Sequence, residues 1–522
     1  MAEQIIHDAS QLTADLDLEA DVVIVGTGAG GGMTAEVLAM AGLKVIMVEE
    51  GALRQTRDFV QNEAHAVKTM YQQAGTQRTK DRSIVVLQGR TVGGSTTVNW
   101  CSSFRTPENT LAHWRDAHGL SGLGVEDLAP VFDDVFERLH IIPFTDYDPN
   151  RNNGLIAEGC DRLGVGWNRI ARNVKGCGDT GQCGLGCPMA AKQSQLVTTI
   201  PAALGLGAEL VHRARVSRIL HDSTRATGIE AEALDAATVN ATGHRVRIRA
   251  RHVVVAAGAI QSPALLMRSD IPDPSGLTGK RTFLHPSVLS FSHFDEAIEG
   301  YYGAPQTVYS DHFLWPGDRP ANGDLGFKIE AMPVQPITVS VLGDKAMGAA
   351  HAELAANLPR THSIVALGRD GFEDGEACGT VELAGDGRAV LDYPVTDYLI
   401  RGHKAALAKI IEIQFAADAK TVFPWHIRMP KLTSMAEARR WLDTADLGPL
   451  QLTRGSAHVM GGCQMGADAK AGVVDSHGRH FAIENLSIHD GSIFPTSIGA
   501  NPSVSIYATA LRNARTLAAD LA

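Results

Sequence analysis

The chain of 522 residues is 44% hydrophobic and 20% charged, a composition typical of a globular protein and not of a disordered one. Its 47 Lys and Arg residues against 58 Asp and Glu residues give a net charge of −11. A surface with this charge repels nucleic acid and anionic membranes, so we expect neither as a partner.

The N-terminal residues predict no export signal, because they contain neither a basic start nor an apolar run. The most apolar stretch, from His252 to Met267, is interrupted by polar residues and a proline and is too short to span a bilayer. We therefore expect no transmembrane segment. The predicted location is the cytoplasm, or export only together with a partner subunit that carries a signal.

Three apolar runs predict buried parallel strands, at Asp21–Val25, Lys44–Glu49 and His252–Ala256. Helical patterns follow the first run, at Gly31–Met40, and the third run, at Ser262–Ser269. An alternation of strands and helices is typical of α/β proteins, in which helices pack on a parallel sheet.

A glycine-rich turn joins the first strand to its helix, and an acidic residue ends the second strand. Gly26 permits the tight turn, Gly28 lets the backbone approach a diphosphate, and Gly31 allows the helix to pack closely on the strand. The diphosphate would lie at the positive end of the helix, and Glu49 would accept hydrogen bonds from a ribose diol. This order of elements predicts a Rossmann-type dinucleotide site.

A second glycine-rich segment, QGRTVGGSTTVNW, suits a backbone that is laid along the edge of a flavin. Its adjacent glycines remove side chains where a planar ring comes close, and hydroxyl and amide side chains follow as hydrogen-bond donors. The candidate cofactor contacts in this segment are Arg90, Gly94, Ser95 and Asn99. Alone, the segment is equally compatible with an ordinary Gly/Ser turn.

Three of the seven cysteines, Cys177, Cys183 and Cys187, lie close together in the glycine-rich segment GCGDTGQCGLGCPMAAKQS. Thiolates grouped in such a loop suit soft metals, and three ligands fit a three-iron cluster better than zinc, which normally takes four. We therefore predict a [3Fe-4S] cluster at this loop. The alternative is that these cysteines are buried or form disulfides.

The C-terminal region contains two candidate catalytic residues. His458 enters a glycine-rich turn, and removal of a proton from a hydroxyl group requires a base, for which histidine has a suitable pKa. Further along, a strand leads to Asp490 and Gly491, and Asn501 and Pro502 are predicted to open a helix. The positive end of that helix would stabilise negative charge on a reduced flavin. The alternative role for Asn501 is only to cap this helix.

Five segments, in order along the chain, resemble the glucose-methanol-choline (GMC) family of flavin oxidoreductases: GTGAGG, GRTVGGSTTVN, VVVAAGAIQSPALLMRS, HVMGGCQMG and DGSIFPTSIGANPSVSIYA. The resemblance implies the fold class α/β (α+β overall), with a Rossmann-type FAD-binding domain and a substrate domain that has a mainly antiparallel sheet. It also implies that His458 is the catalytic base and Asn501 the second catalytic residue. By the same resemblance, the backbone at Val216 meets the adenine, and Ala257 belongs to a second signature near the dinucleotide.

Nucleotide-type segments occur at both ends and in the middle of the chain, so the cofactor domain is predicted to be discontinuous. We assign residues 1–290 and 451–522 to the FAD-binding domain, which includes the cysteine-rich loop 177–187. The substrate-binding domain is expected at residues 291–450.

The resemblance implies FAD-dependent oxidation of an alcohol to an aldehyde or ketone, with hydride transfer to flavin N5. We expect a dehydrogenase that passes electrons to an acceptor other than oxygen, such as a carrier protein, a quinone or a partner subunit. The alternatives are an oxidase that reduces oxygen to peroxide, a redox-silent lyase of the same fold, and a non-enzymatic flavoprotein subunit. Val98 stands where some family members carry a histidine that binds FAD covalently, so non-covalent FAD is expected.

The cysteine pattern also resembles that of the catalytic subunit of bacterial FAD-dependent glucose dehydrogenases. In those enzymes a cluster of this type relays electrons from the flavin to a cytochrome, and a partner subunit carries the export signal. Plant long-chain alcohol oxidases have a related cysteine-rich turn for which no cluster is inferred.

Overall fold

The computed structural model describes residues 4–315, 325–337, 348–373 and 378–522. The helices in chain order are α1 (Ala29–Met40), α2 (Glu63–Met70), α3 (Glu108–His118), α4 (Val125–Arg138), α5 (Arg151–Leu163), α6 (Thr199–Gly205), α7 (Gln261–Arg268), α8 (Ala349–Ala356), α9 (Asp397–Ala416), α10 (Met435–Thr444) and α11 (Ser503–Leu521). No helix in the described part of the chain combines the length and the apolar character that a bilayer-spanning helix needs.

The first strands in chain order are β1 (Ile5–Asp8), β2 (Leu16–Val25), β3 (Val45–Glu49), β4 (Ile84–Val86), β5 (Ser102–Ser103), β6 (Ile141–Pro143), β7 (Asn168–Arg169), β8 (Ala171–Asn173), β9 (Glu209–His212), β10 (Ala214–His221), β11 (Ala226–Leu234) and β12 (Ala241–Val255). The later strands are β13 (Thr282–Phe283), β14 (Ser287–His293), β15 (Val308–Ser310), β16 (Phe327–Ala331), β17 (Thr361–Gly368), β18 (Thr380–Leu383), β19 (Ala389–Asp392), β20 (Thr421–Pro424), β21 (Arg454–Ser456), β22 (Met460–Gly461) and β23 (Leu486–Ile488).

The first large sheet has the strand order β1-β9-β3-β2-β12-β11-β10, and β23 also pairs with β12. Strands β1, β9, β3, β2, β12 and β23 run parallel to one another, whereas β11 is antiparallel to both β12 and β10. Consecutive side chains of β2 enter different cores, Val22 and Ile24 on one face and Val23 and Val25 on the other. Burial of both faces is the property of a parallel sheet covered by helices.

The three predicted strands and both predicted helices are present, with shifts of one or two residues at the helix ends. Strands β2 and β12 extend much further towards their N-termini than the apolar runs predicted. In these outer halves charged residues alternate with apolar ones, and ion pairs such as Arg249 with Glu19 (2.6 Å) and Arg251 with Asp21 (3.0 Å) bridge the two strands. The N-terminal halves of β2 and β12 therefore contain no continuous apolar run from which a buried strand would be predicted.

The second large sheet has the order β4-β21-β14-β17-β16-β15-β7, and β20 also pairs with β14. Every pairing in it is antiparallel except that of β21 with β4. In β16, Phe327, Ile329 and Ala331 pack into a core that α5 and α9 share, so the intervening residues of β16 lie on the opposite face. The predicted α/β class with a mainly antiparallel second sheet is confirmed.

Strands β4 and β21, which belong to the second sheet, lie outside the predicted substrate domain of residues 291–450. Strand β14 begins just before that range. The second sheet thus contains strands from both predicted domains. The division at residues 290 and 451 stays a prediction.

The start of α1 lies directly against the end of β23. A Cβ atom added at Gly30 would fall 1.5 Å from the carbonyl oxygen of His489. This contact joins the N-terminal glycine-rich turn to the C-terminal segment, and only a residue without a side chain permits it.

We expect Gly30→Ala to destabilise the protein by about 1–3 kcal/mol or more, because α1 has to move away from the His489 backbone. The measurement is the urea midpoint of the FAD-loaded protein. Gly205→Ala at the end of α6 is the matched control, since a Cβ atom there meets nothing within 4 Å. Equal midpoints for Gly30→Ala and the wild type would contradict the assignment of this contact.

Candidate active site

A cavity of about 1450 Å³ lies where the two sheets meet. On one side it is lined by the carboxyl ends of β2 and β3, which is where open α/β sheets bind ligands. The predicted site residues that line it are Gly26, Gly28, Glu49, Arg90, Gly94, Ser95, Asn99, Val216, Ala257, His458, Asp490, Gly491, Asn501 and Pro502. Gly31 does not line the cavity, and an added Cβ atom there would fall 2.0 Å from the carbonyl oxygen of Gly26, as the packing role predicts.

The dinucleotide end of the cavity is built from two glycine-rich turns in contact. A Cβ atom at Gly94 would lie 2.8 Å from the Cα atom of Gly28, whereas a Cβ atom at Gly28 itself would meet nothing within 4 Å. Gly28 thus leaves open space in front of the N-terminus of α1, where the unpaired N–H groups would stabilise a diphosphate.

Glu49 lies at the end of β3 with both carboxylate oxygens engaged. One oxygen accepts hydrogen bonds from the Thr27 N–H (3.1 Å) and hydroxyl (2.7 Å), and the other accepts from the Gly51 N–H (2.8 Å). Burial raises the pKa of this carboxyl group, and the Thr27 hydroxyl opposes the rise. Glu49 therefore braces the first turn as well as facing the position of a ribose.

The buried polar atoms on the cavity wall that have no hydrogen-bond partner among the described residues include Nε of Arg90 and Oδ1 of Asn99. Arg90 also pairs with Glu50 (2.9 Å) and donates to the carbonyl of Thr238. Buried groups of this kind normally have a partner, so their position in the wall fits a polar cofactor. These donors, acceptors and glycines fit FAD.

Asp490 connects the C-terminal segment to the turn after β12. Its Oδ2 accepts from the Gly258 N–H (2.9 Å) and from the Ser262 hydroxyl (2.5 Å), and its Oδ1 accepts from the Ser492 N–H (2.8 Å). The carboxylate therefore holds Ala257 and its neighbours at the cavity wall.

His458 faces the cavity and contacts a second histidine that the sequence did not indicate. The Nδ1 atoms of His458 and His285 are 3.1 Å apart, so one of the two donates a hydrogen bond to the other. The turn that carries His285 is held by Asp370, which accepts from the His285 N–H (3.0 Å) and the Leu284 N–H (2.9 Å). Burial, with a contribution from the charge of Lys328, lowers the pKa of His458 to about 3.

Asn501 contacts a buried ion pair and does not cap the helix that follows it. Helix α11 begins at Ser503, later than predicted, and makes no side-chain cap hydrogen bond. Instead, Oδ1 of Asn501 accepts from Nζ of Lys328 (3.4 Å), and Nδ2 of Asn501 donates to Oε2 of Glu330 (3.2 Å). Nζ of Lys328 is 3.2 Å from Oε1 of Glu330. Burial lowers the pKa of Lys328 to about 8, although Glu330 opposes this shift.

Lys328 and Glu330 were not predicted as site residues, although the sequence contains a signal for their position. In the strand FKIEA two charged residues alternate with apolar ones, which places both on one face of the strand. His285 has no comparable signal, because it lies in an irregular turn and meets His458 only through the tertiary fold.

The described structure does not support the predicted metal site. Within the described ranges, no group of three or more His, Cys, Asp or Glu side chains is placed to hold a metal ion. A [3Fe-4S] cluster at Cys177, Cys183 and Cys187 therefore stays a prediction.

Cys183 contacts Cys101, a cysteine that was not among the predicted metal ligands. Nη2 of the buried Arg172 donates to the Cys183 sulfur (3.4 Å), and Nζ of Lys192 donates to its carbonyl (2.8 Å). The hydrogen bond from Cys101, together with the charges of Arg172 and Lys192, lowers the pKa of Cys183 to about 5 against the effect of burial. The charges of Arg172 and Lys192 thus favour the thiolate form of Cys183.

Comparison with known proteins gives a consistent result. The sequence matches the N-terminal domain of the GMC oxidoreductases over residues 67–287, their C-terminal domain over residues 376–510, and an FAD binding domain over residues 19–82. An uncharacterised GMC-type oxidoreductase of Mycobacterium tuberculosis is 33% identical over 97% of this chain and 78% of its own length.

Two further similarities are more distant. The long-chain-alcohol oxidase FAO4B of Arabidopsis thaliana is 28% identical over 94% of this chain and 66% of its own length. Among solved structures, a formate oxidase of Aspergillus oryzae superimposes with a TM-score of 0.70 at 15% identity, over 98% of this chain and 100% of that one. The structural similarity shows the shared fold.

Proposed function

The chain belongs to the GMC oxidoreductase family, and we propose that it uses non-covalently bound FAD to oxidise an alcohol to an aldehyde or ketone. The observation that supports this proposal is that His458 and Asn501 line the same cavity as the glycine-rich turns suited to FAD. A candidate base and a candidate hydrogen-bond donor therefore line the cavity in which a substrate would meet the cofactor.

His458 acts as the base for the hydroxyl proton in the proposed reaction. Burial lowers the pKa of His285 well below its ordinary value, so His285 is neutral and its Nδ1 can accept a hydrogen bond. When His458 donates to it from Nδ1, Nε2 of His458 carries a lone pair and accepts the proton of the alcohol. Bound FAD supplies the acceptor for the hydride that leaves the alcohol carbon.

The wall of the cavity on the substrate side is mainly apolar. Its apolar side chains come from the face of the second sheet and from the segment after β16, and they include Leu289, Met332, Val365 and Leu367. The name of the Arabidopsis relative, a long-chain-alcohol oxidase, agrees with this surface. We propose a primary alcohol with an extended apolar body as the substrate.

Anaerobic addition of primary alcohols should bleach the flavin absorbance, with kcat/KM rising as the chain lengthens. Each buried CH2 group contributes about 0.8 kcal/mol, or about a fourfold gain, until the cavity is filled. A sugar serves as the polar control. Absence of bleaching with every alcohol would favour the redox-silent lyase.

The same assay under air identifies the electron acceptor. We propose a carrier protein or quinone, which predicts turnover with an artificial acceptor and little peroxide. The names of the relatives favour the second candidate, an oxidase, for which peroxide would form in equal amount to the product.

His458→Ala should lower the rate of flavin reduction about 10²- to 10⁴-fold while FAD remains bound, because the proton acceptor is lost. His244→Ala, which does not line the cavity, is the control. Because the pKa of His458 is lowered to about 3, the base stays unprotonated in mildly acidic solution. The wild-type rate should therefore show no acid limb from this group until the pH approaches about 3. Unchanged turnover in His458→Ala would exclude this mechanism.

FAD should leave the protein on acid precipitation and colour the supernatant. Val98 is buried at the cavity wall and offers no nucleophilic atom for a covalent bond. A yellow pellet would contradict non-covalent binding.

A further inference from the structure

We propose that Lys328 and Glu330 are positioning residues that orient the Asn501 amide, so that its Nδ2 donates to the substrate oxygen. This inference rests on the proposed alcohol oxidation. It concerns an ion pair buried between the active-site cavity and a neighbouring pocket: Glu330 lines the first, and Lys328 lines the second.

The chemistry of the two partners allows only one orientation of the amide. The Lys328 ammonium group can only donate, and it faces Oδ1 of Asn501; the Glu330 carboxylate can only accept, and it faces Nδ2. A flipped amide would place its NH2 group against the ammonium and its oxygen against the carboxylate. Both contacts would be repulsive, so the ion pair selects the observed rotamer.

The selected orientation leaves one N–H of Asn501 for the substrate. Nδ2 has two protons, and Glu330 accepts one of them. Since Asn501 lines the cavity, the second proton is available to the alcohol oxygen as negative charge develops on it. Lys328 adds a positive charge on the far side of the same amide.

Stability does not explain this ion pair. Lys328 is 1% exposed and Glu330 is not exposed at all. Burial of two charges costs several kcal/mol of desolvation each, and apolar residues of similar size are often as stable or more stable. The aromatic rings of Phe104 and Tyr309 lie against the Lys328 ammonium and compensate part of that cost. A function in orienting Asn501 accounts for the polar pair where an apolar pair would fill the space.

The double variant Lys328→Met with Glu330→Leu separates the positioning role from a structural one. We expect it to retain FAD and to have a urea midpoint at or above that of the wild type. Its kcat for alcohol oxidation should fall about 10²- to 10³-fold, as for the loss of one oxyanion donor, with little change in KM. The control is Lys431→Met with Glu353→Leu, which removes a surface ion pair.

A cycle with Asn501→Ala tests whether the pair acts through the amide. If it does, the triple variant should have a kcat no more than a small factor below that of Asn501→Ala alone. A wild-type kcat in the double variant, or a full additional loss in the triple variant, would overturn the proposal.

Two further outcomes remain distinguishable. If the double variant does not fold, Lys328→Gln with Glu330→Gln replaces it: each glutamine can donate or accept, so neither neighbour selects one amide orientation, and an unchanged kcat would overturn the proposal. If the wild type itself reduces no flavin with any alcohol, the proposed function fails and the positioning role, which rests on it, fails with it; an unchanged kcat in the variants of an active wild type overturns the positioning role alone.

Discussion

The close approach of backbone to backbone at Gly30 and His489 is the constraint on which the active site depends. It brings the first turn of α1, which faces the proposed diphosphate position, against the segment that continues through Asp490 to Asn501. Residues as far apart in the sequence as Val25 and Ile506 thereby line one cavity. The carboxylate of Asp490 extends the same connection to the turn after β12, so three strand ends are held in a fixed arrangement.

At the opposite end of the cavity, His458 and Asn501 have different electrostatic surroundings. His458 and His285 are both held neutral by burial, which suits one to accept a proton and the other to accept the hydrogen bond that orients it. The charges of Lys328 and Glu330 compensate each other across the Asn501 amide.

Behind the wall formed by Trp100 lies a second polar cluster, with Arg172 and Lys192 around the Cys101 and Cys183 thiols. The spacing of the cysteines suggested metal ligation, whereas the fold places Arg172 and Lys192 next to Cys183 and groups no three candidate ligands within the described residues. Spacing along a flexible loop does not determine which sulfur atoms converge, because the direction of each side chain depends on the surrounding core. Cys101, which is distant in sequence, supplied the contact that the pattern omitted.

The sequence by itself determined the local elements of this protein. The strand, glycine-rich turn, helix and acidic residue around Gly26 and Glu49 are encoded within one short segment. Their geometry follows from the hydrophobic periodicity of the segment and from the steric freedom of its glycines. Only the tertiary structure decided the partners of the two candidate catalytic residues. His285 and His458 are 173 residues apart, as are Lys328 and Asn501, and nothing local predicts either pair. Such pairs arise where turns and strands from distant parts of the chain meet, and only the folded chain specifies which side chains come together.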